Sequence, residues 1–166
     1  MQGGESMKKQ IPWKSIIMSV LFCMAVGCIA SILTLDGMKL FQTIRQPPLT
    51  PSKSVFPIVW TIMLILIGSG FGLAVSQKNT DPIDKERVIM SFSVQMTFFF
   101  CWMIWFFGLG WYAFSSLWMV GLIVSILWMM ISFRKVSTLA FRLQLPYVIW
   151  CLFALYLNIG VWLLNR

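Results

Sequence analysis

The sequence predicts an all-α membrane protein, a bundle of five transmembrane helices, and two observations carry that reading. Ser15–Leu35, Ser54–Gln77, Val88–Phe133 and Leu143–Asn165 contain no Asp, Glu, Lys or Arg. A hydrocarbon core of about 30 Å takes roughly 20 apolar residues of helix to cross, so three of these stretches are one span long and Val88–Phe133 is two. Composition agrees: 59% of residues are hydrophobic, 16% aromatic and 11% charged, and the mean hydropathy is +0.84. Soluble domains carry roughly 25% charged residues. The spans are expected at about 15–35, 55–76, 88–107, 114–133 and 145–164, behind a polar and basic tail over 1–14. Together with their connections they fill the 166 residues and leave no room for a soluble domain.

The first span ends before Asp36-Gly37. It follows Lys8, Lys9 and Lys14 in the manner of a signal-peptide n-region, but its apolar run is too long and lacks a small-residue cleavage site, so it reads as a retained helix. Met1–Ser6 is polar and expected to be disordered. Asp36–Ser54 is the longest connection and contains Pro47, Pro48 and Pro51. Proline fixes φ and removes a donor, so an extended, semi-rigid strap is expected. The second span starts near Val55 with Pro57 in its first turn, and its Gly68-Ser69-Gly70-Phe71-Gly72 stretch would let another helix approach closely. Gln77–Arg87 is polar. Val88–Phe133 divides best at Gly108–Tyr112. Arg134–Arg142 reads as a short basic turn, after which Pro146 opens the fifth span. No internal repeat supports an inverted-repeat transporter.

The net charge of +8 comes from short basic clusters at helix ends, not from a stripe, which points to membrane flanks and excludes nucleic acid as a partner. Of the thirteen Lys and Arg residues, nine fall on the side of the N-terminus and four on the other. The positive-inside rule therefore predicts a cytoplasmic N-terminus, in a bacterial cytoplasmic membrane, with the Pro-rich strap outside. Cys23, Cys28, Cys101 and Cys151 all lie within spans and form no C-x-x-C pair, so neither a zinc site nor a disulfide framework is indicated.

Intramembrane ionisable groups mark proton and ion pathways, and the spans contain no Asp, Glu, Lys, Arg or His. A pump, a haem-ligating histidine, a zinc site and base-assisted hydrolysis are all disfavoured on that ground. No metal, obligatory cofactor or acid–base catalytic residue is expected. The chain instead carries nine tryptophans. Most are explained by packing and interfacial belts, but Trp60 and Trp150 each follow a proline-marked helix start, and an indole offers a flat apolar face to a flat ligand. Gln95, Asn158, Tyr147 and Tyr156 are expected to bond between helices or to orient a ligand.

Two segments go beyond composition. The first is QPPLTPSKSVFPIVW, Gln46–Trp60, continuing into Thr61. The second is PYVIWCLFALYLN, Pro146–Asn158, closed by Leu163-Leu164-Asn165. A third, weaker one is Trp102 followed by Phe106-Phe107-Gly108. This pattern resembles the tryptophan-rich sensory protein/translocator protein family, which includes the peripheral-type benzodiazepine receptor. The resemblance implies a five-helix bundle that binds porphyrin or haem, sterols and isoquinoline-type drugs in a pocket beneath the first loop, among membrane lipid, with homodimers common. It carries ligand-binding roles onto Pro47, Trp60, Trp102, Trp150, Ala154, Leu157 and Asn158. From Trp150, the last three fall at i+4, i+7 and i+8, one helical stripe.

The departures are also specific. Gln46 stands for the family's Lys, Ser52 for a Pro and Leu40-Phe41 for Trp-Tyr. Leu64 stands for a pocket Tyr, and Phe99 for an Asn. Ile159 breaks the sterol motif of helix five. A more apolar pocket with doubtful sterol binding is therefore expected. The leading functional expectation is a membrane receptor for flat hydrophobic ligands, above all tetrapyrroles, with Arg45 and Lys53 pairing with propionates. Two alternatives stand beside it: an enzyme promoting light- and oxygen-dependent porphyrin breakdown, and a structural or regulatory protein with a relic pocket. For a homodimer, an aromatic face of helix three or Gly68 and Gly72 on helix two is expected to supply the contact.

Overall fold

The computed structural model describes residues 11–78 and 80–166; Met1–Ser6 and the Lys8–Lys9 pair lie outside the described residues. The element order is α1 (Trp13–Leu33), α2 (Leu35–Phe41), α3 (Val55–Val75), α4 (Pro82–Met103) running into a π-helical turn at Ile104–Gly108, α5 (Tyr112–Val136), α6 (Thr138–Arg142) and α7 (Leu145–Leu164). Five helical segments are long and apolar enough to cross a membrane: Trp13–Leu33, Val55–Val75, Pro82–Gly108, Tyr112–Val136 and Thr138–Leu164. The expected all-α five-span bundle is what forms.

Local chemistry moves several boundaries. The third span begins at Pro82, not Val88, because the Asp81 side chain caps it, accepting from Ile83 N–H at 2.8 Å, and Pro82 suits the first turn. Its first turns hold Asp84, Lys85, Glu86 and Arg87, ahead of the charge-free stretch. The first connection is not all strap: the short α2 follows a break at Thr34, whose hydroxyl donates to the Ala30 carbonyl at 2.8 Å. The basic turn after α5 likewise contains α6, capped by the Ser137 hydroxyl. The split at Gly108–Tyr112 falls where expected, with Gly110 at φ 65° in the turn.

The glycines of α3 are spent inside the chain. A Cβ added at Gly68 would lie 2.6 Å from the Cα of Val20, and one at Gly72 2.6 Å from the Cα of Ile16. α1 therefore rests directly on this face of α3. The expected role of Gly68 and Gly72 in a dimer is corrected: their close approach is to the chain's own first helix.

Polar side chains tie the helices together, as an amide in hydrocarbon requires. Gln95 on α4 donates to the Tyr147 hydroxyl on α7 at 2.7 Å. Gln144, at the start of α7, donates to the Leu66 carbonyl on α3 at 3.1 Å. At the end away from the strap, Asp84 pairs with Arg87 at 3.2 Å and with Lys135 at 3.6 Å, joining α4 to α5. That contact puts the second and fourth connections at the same end of the bundle.

The strap, residues 42–54, is fastened to α7. Asn165 clamps Arg45 at two points, accepting from its backbone N–H at 3.1 Å and donating to its carbonyl at 2.8 Å. Tyr156 donates to the Pro48 carbonyl at 3.0 Å. Pro47 lies so close to Gly160 that an added Cβ there would sit 2.6 Å from its ring. The roof of the bundle is thus held in place by these contacts, and it is not extended throughout: the chain turns at Pro48-Leu49, with Leu49 at φ 65°.

Candidate functional site

Beneath the strap lies a cavity of about 650 Å³, within the range of ligand sites. Its floor is aromatic, aliphatic and thioether: Trp60 and Leu64 of α3, Phe99 and Met103 of α4, Phe107 of the π-turn and Met24 of α1. α2 closes one side with Met38 and Phe41, the latter ring 5.4 Å from Phe107 and 5.5 Å from Phe106. The roof is polar, with Gln46, Thr50, Ser52 and Lys53 of the strap. Lys53 is the one charged side chain among the described lining residues. The site is therefore a box for an apolar body, with hydrogen-bonding groups and a single cation at the strap end.

Trp60 is the centre of the floor. It is 6% exposed, and its ring lies 5.1 Å from Phe99, 5.3 Å from Trp102 and 6.4 Å from Trp150, the last edge-on. Packed rings on three sides leave it few rotamers, so its face is presented rigidly. Its indole N–H is buried without a hydrogen-bond partner.

Of the residues singled out from sequence, Trp60, Leu157 and Lys53 line the cavity, whereas Trp150, Trp102, Ala154, Asn158, Pro47 and Arg45 do not. Trp102 and Trp150 stand against Trp60 and hold it. Asn158 is consumed by structure: its Oδ1 accepts from the Trp102 indole at 3.1 Å and from the Ser115 hydroxyl at 3.2 Å, and its Nδ2 donates to the Ala154 carbonyl at 2.8 Å. Pro47 and Arg45 act in the strap's attachment. The two departures do what their side chains suggest: Leu64 and Phe99, buried at 5% and 2% exposure, make apolar wall. Sequence reasoning missed the α1 side, Met24, Gly27, Cys28 and Ser31, because α1 is apolar all round and offers no periodic signal to choose a face.

Related sequences bear on what kind of protein this fold belongs to. The model of the TspO/MBR family matches residues 19–163. The chain belongs to the TspO/MBR family. It is 30% identical to the "Tryptophan-rich protein TspO" of Chlorobaculum tepidum, over 96% of this chain and 99% of that protein. It is also 30% identical to the "Tryptophan-rich protein TspO" of Archaeoglobus fulgidus, over 90% of this chain and 96% of that one. Similarity extends to the "Translocator protein" of Ovis aries, 27% identical over 79% of this chain and 78% of that protein. As a TspO/MBR protein with five spanning helices, the chain is an integral, multi-pass membrane protein.

Proposed function

We propose that this chain is a membrane receptor for flat hydrophobic anions, tetrapyrroles of the porphyrin and haem type first among them, and that it acts in their transport or in stress regulation. The observation that carries the reading is the cavity itself: a rigid indole floor at Trp60, an otherwise apolar wall, and Lys53 as its one cation at the strap end. A porphyrin matches each part, with its macrocycle against Trp60 and its propionates toward Lys53. Arg45 lies outside the lining, so propionate pairing falls to Lys53. Sterol binding is less favoured, because Ile159 interrupts the sterol motif. We also assign the strap to the outer face of a bacterial cytoplasmic membrane, from the distribution of Lys and Arg.

A ligand that binds only the folded chain must raise its apparent stability. Protoporphyrin IX is expected to raise the unfolding temperature in detergent micelles, and cholesterol is not. Lys53→Gln is expected to weaken protoporphyrin IX by about fivefold, about 1 kcal/mol, and to leave its dimethyl ester unaffected. No stabilisation by any porphyrin, haem or sterol would favour the relic-pocket reading.

The close Trp60–Trp102 pair keeps a second reading in play, a light-driven breakdown of bound porphyrin in which these indoles exchange electrons with the pigment. Illumination with and without oxygen distinguishes the two. Bleaching no faster than in protein-free micelles removes the enzyme.

A further inference from the structure

The interface between α1 and α3 is closed along one half and open along the other. Away from the strap, backbone meets backbone at Ile16–Gly72 and Val20–Gly68. One turn further on, the Leu64 side chain fills the space over Gly27, where an added Cβ would come within 2.5 Å. Beyond that level the two helices line the cavity instead of each other: Cys28 and Ile32 from α1, Pro57 and Thr61 from α3. All four are exposed, Ile32 by 66%. They belong to the spans Trp13–Leu33 and Val55–Val75, so this side of the cavity is bounded by two membrane-spanning helices.

The cavity also opens at the strap, where Gln42, Gln46, Ser52 and Lys53 line it and are exposed, but that rim is polar and its frame is pinned. Asn165, Tyr156 and Gly160 of α7 hold the strap at Arg45, Pro47 and Pro48. α1, by contrast, is the least buried of the five spans. Its helical run breaks at Thr34.

We propose that the cavity is loaded sideways from the strap-side leaflet, through a slot between the strap-side halves of α1 and α3, and that its ligands are amphiphiles already dissolved in the bilayer. The inference rests on the cavity being a ligand site and not on the ligand being a tetrapyrrole. An apolar body passing from lipid into this slot leaves hydrocarbon for a hydrocarbon-like wall and meets no desolvation barrier. The rim fits that passage, since the Thr61 hydroxyl is already bonded to the Pro57 carbonyl at 2.9 Å. The anionic end of such a ligand travels at headgroup level toward Lys53.

Native Cys28 supplies one half of a test. Thr61→Cys in a Cys101→Ser background places a second thiol across the slot, while Cys23 and Cys151 are fully buried. The variant is bridged with a bifunctional methanethiosulfonate in phosphatidylcholine vesicles. Protoporphyrin IX delivered in the lipid is expected to associate about tenfold more slowly after bridging, and reduction is expected to restore the rate. An unchanged rate overturns the proposal. Thr61→Trp, which fills the slot without a cross-link, gives the same comparison if the bridge does not form. A second readout needs no porphyrin: phosphatidylcholine brominated on its acyl chains is expected to quench Trp60, measured as wild type minus Trp60→Phe, and to lose that quenching on bridging. Absence of a Trp60 contribution before bridging overturns the slot. Porphyrin that binds no form of the protein contradicts the tetrapyrrole reading and leaves the brominated lipid to decide this one.

Discussion

Asn158 illustrates how a residue can be found in the sequence while its hydrogen-bond partners stay hidden there. Its place on the Trp150 stripe of the fifth span is legible from spacing, but its partners Trp102 and Ser115 lie on two other helices, and no periodicity points to them. The structure makes it a three-way tie between α4, α5 and α7, set outside the cavity lining. Asn158→Leu is therefore expected to destabilise the fold by about 1–2 kcal/mol, since it strands the Trp102 indole N–H in an apolar interior, while the Ser115 hydroxyl keeps the Tyr112 carbonyl as acceptor. Unfolding in micelles measures that loss. Porphyrin affinity in the surviving folded fraction is expected to change little, and a selective loss of affinity at full stability would return Asn158 to the binding site. Leu64 and Phe99 are the opposite case. Their identities alone announce an apolar wall, and both line the cavity.

At the scale of elements, spans are easier to read than what they touch. Charge-free stretches mark the five helices because a charge in hydrocarbon is costly, and three prolines mark the strap. The start at Pro82 needed the Asp81 cap to be weighed above hydropathy. α2 and α6 are too short to have a hydrophobic period of their own. The partner of Gly68 and Gly72 was not legible at all, because a small-residue face says only that some backbone comes close. Gly68→Leu is expected to push α1 off α3 and to cost about 2 kcal/mol or more, seen as a lowered unfolding temperature; an unchanged temperature would mean that α1 docks elsewhere. Along the third span the rings of Phe99, Trp102, Phe106 and Phe107 turn inward, and Phe98 stacks on Trp118 at 4.7 Å. The outward side carries Ser93 and Thr97, with Phe100 and Cys101 half-buried beyond them, so a second copy approaching here would meet small residues beside one ring. Pairing through this face is expected to give Cys101–Cys101 cross-links in native membranes with Cys28 replaced by serine. A dimer seen in the same membranes without that cross-link would move the interface off α4.

The whole molecule is a bundle with two dissimilar ends. One is polar and basic, joined by Asp84, Arg87 and Lys135. The other is roofed by a proline strap pinned to α7, with the cavity just beneath it. Between the two ends, the charge-free stretches offer shape, apolar surface and indole faces, with Lys53 at the strap end of the cavity. Trp60 is where these properties converge. The most direct measurement is a titration of purified protein with protoporphyrin IX, followed by tryptophan quenching, for wild type, Trp60→Ala, Trp150→Ala and Trp111→Ala. Trp60→Ala is expected to weaken binding by at least about tenfold. Trp150→Ala, which removes only a support of Trp60, is expected to have a smaller effect, and the exposed Trp111→Ala none. Equal affinity in wild type and Trp60→Ala, with both variants folded, would contradict a ligand site built on Trp60 beneath the strap.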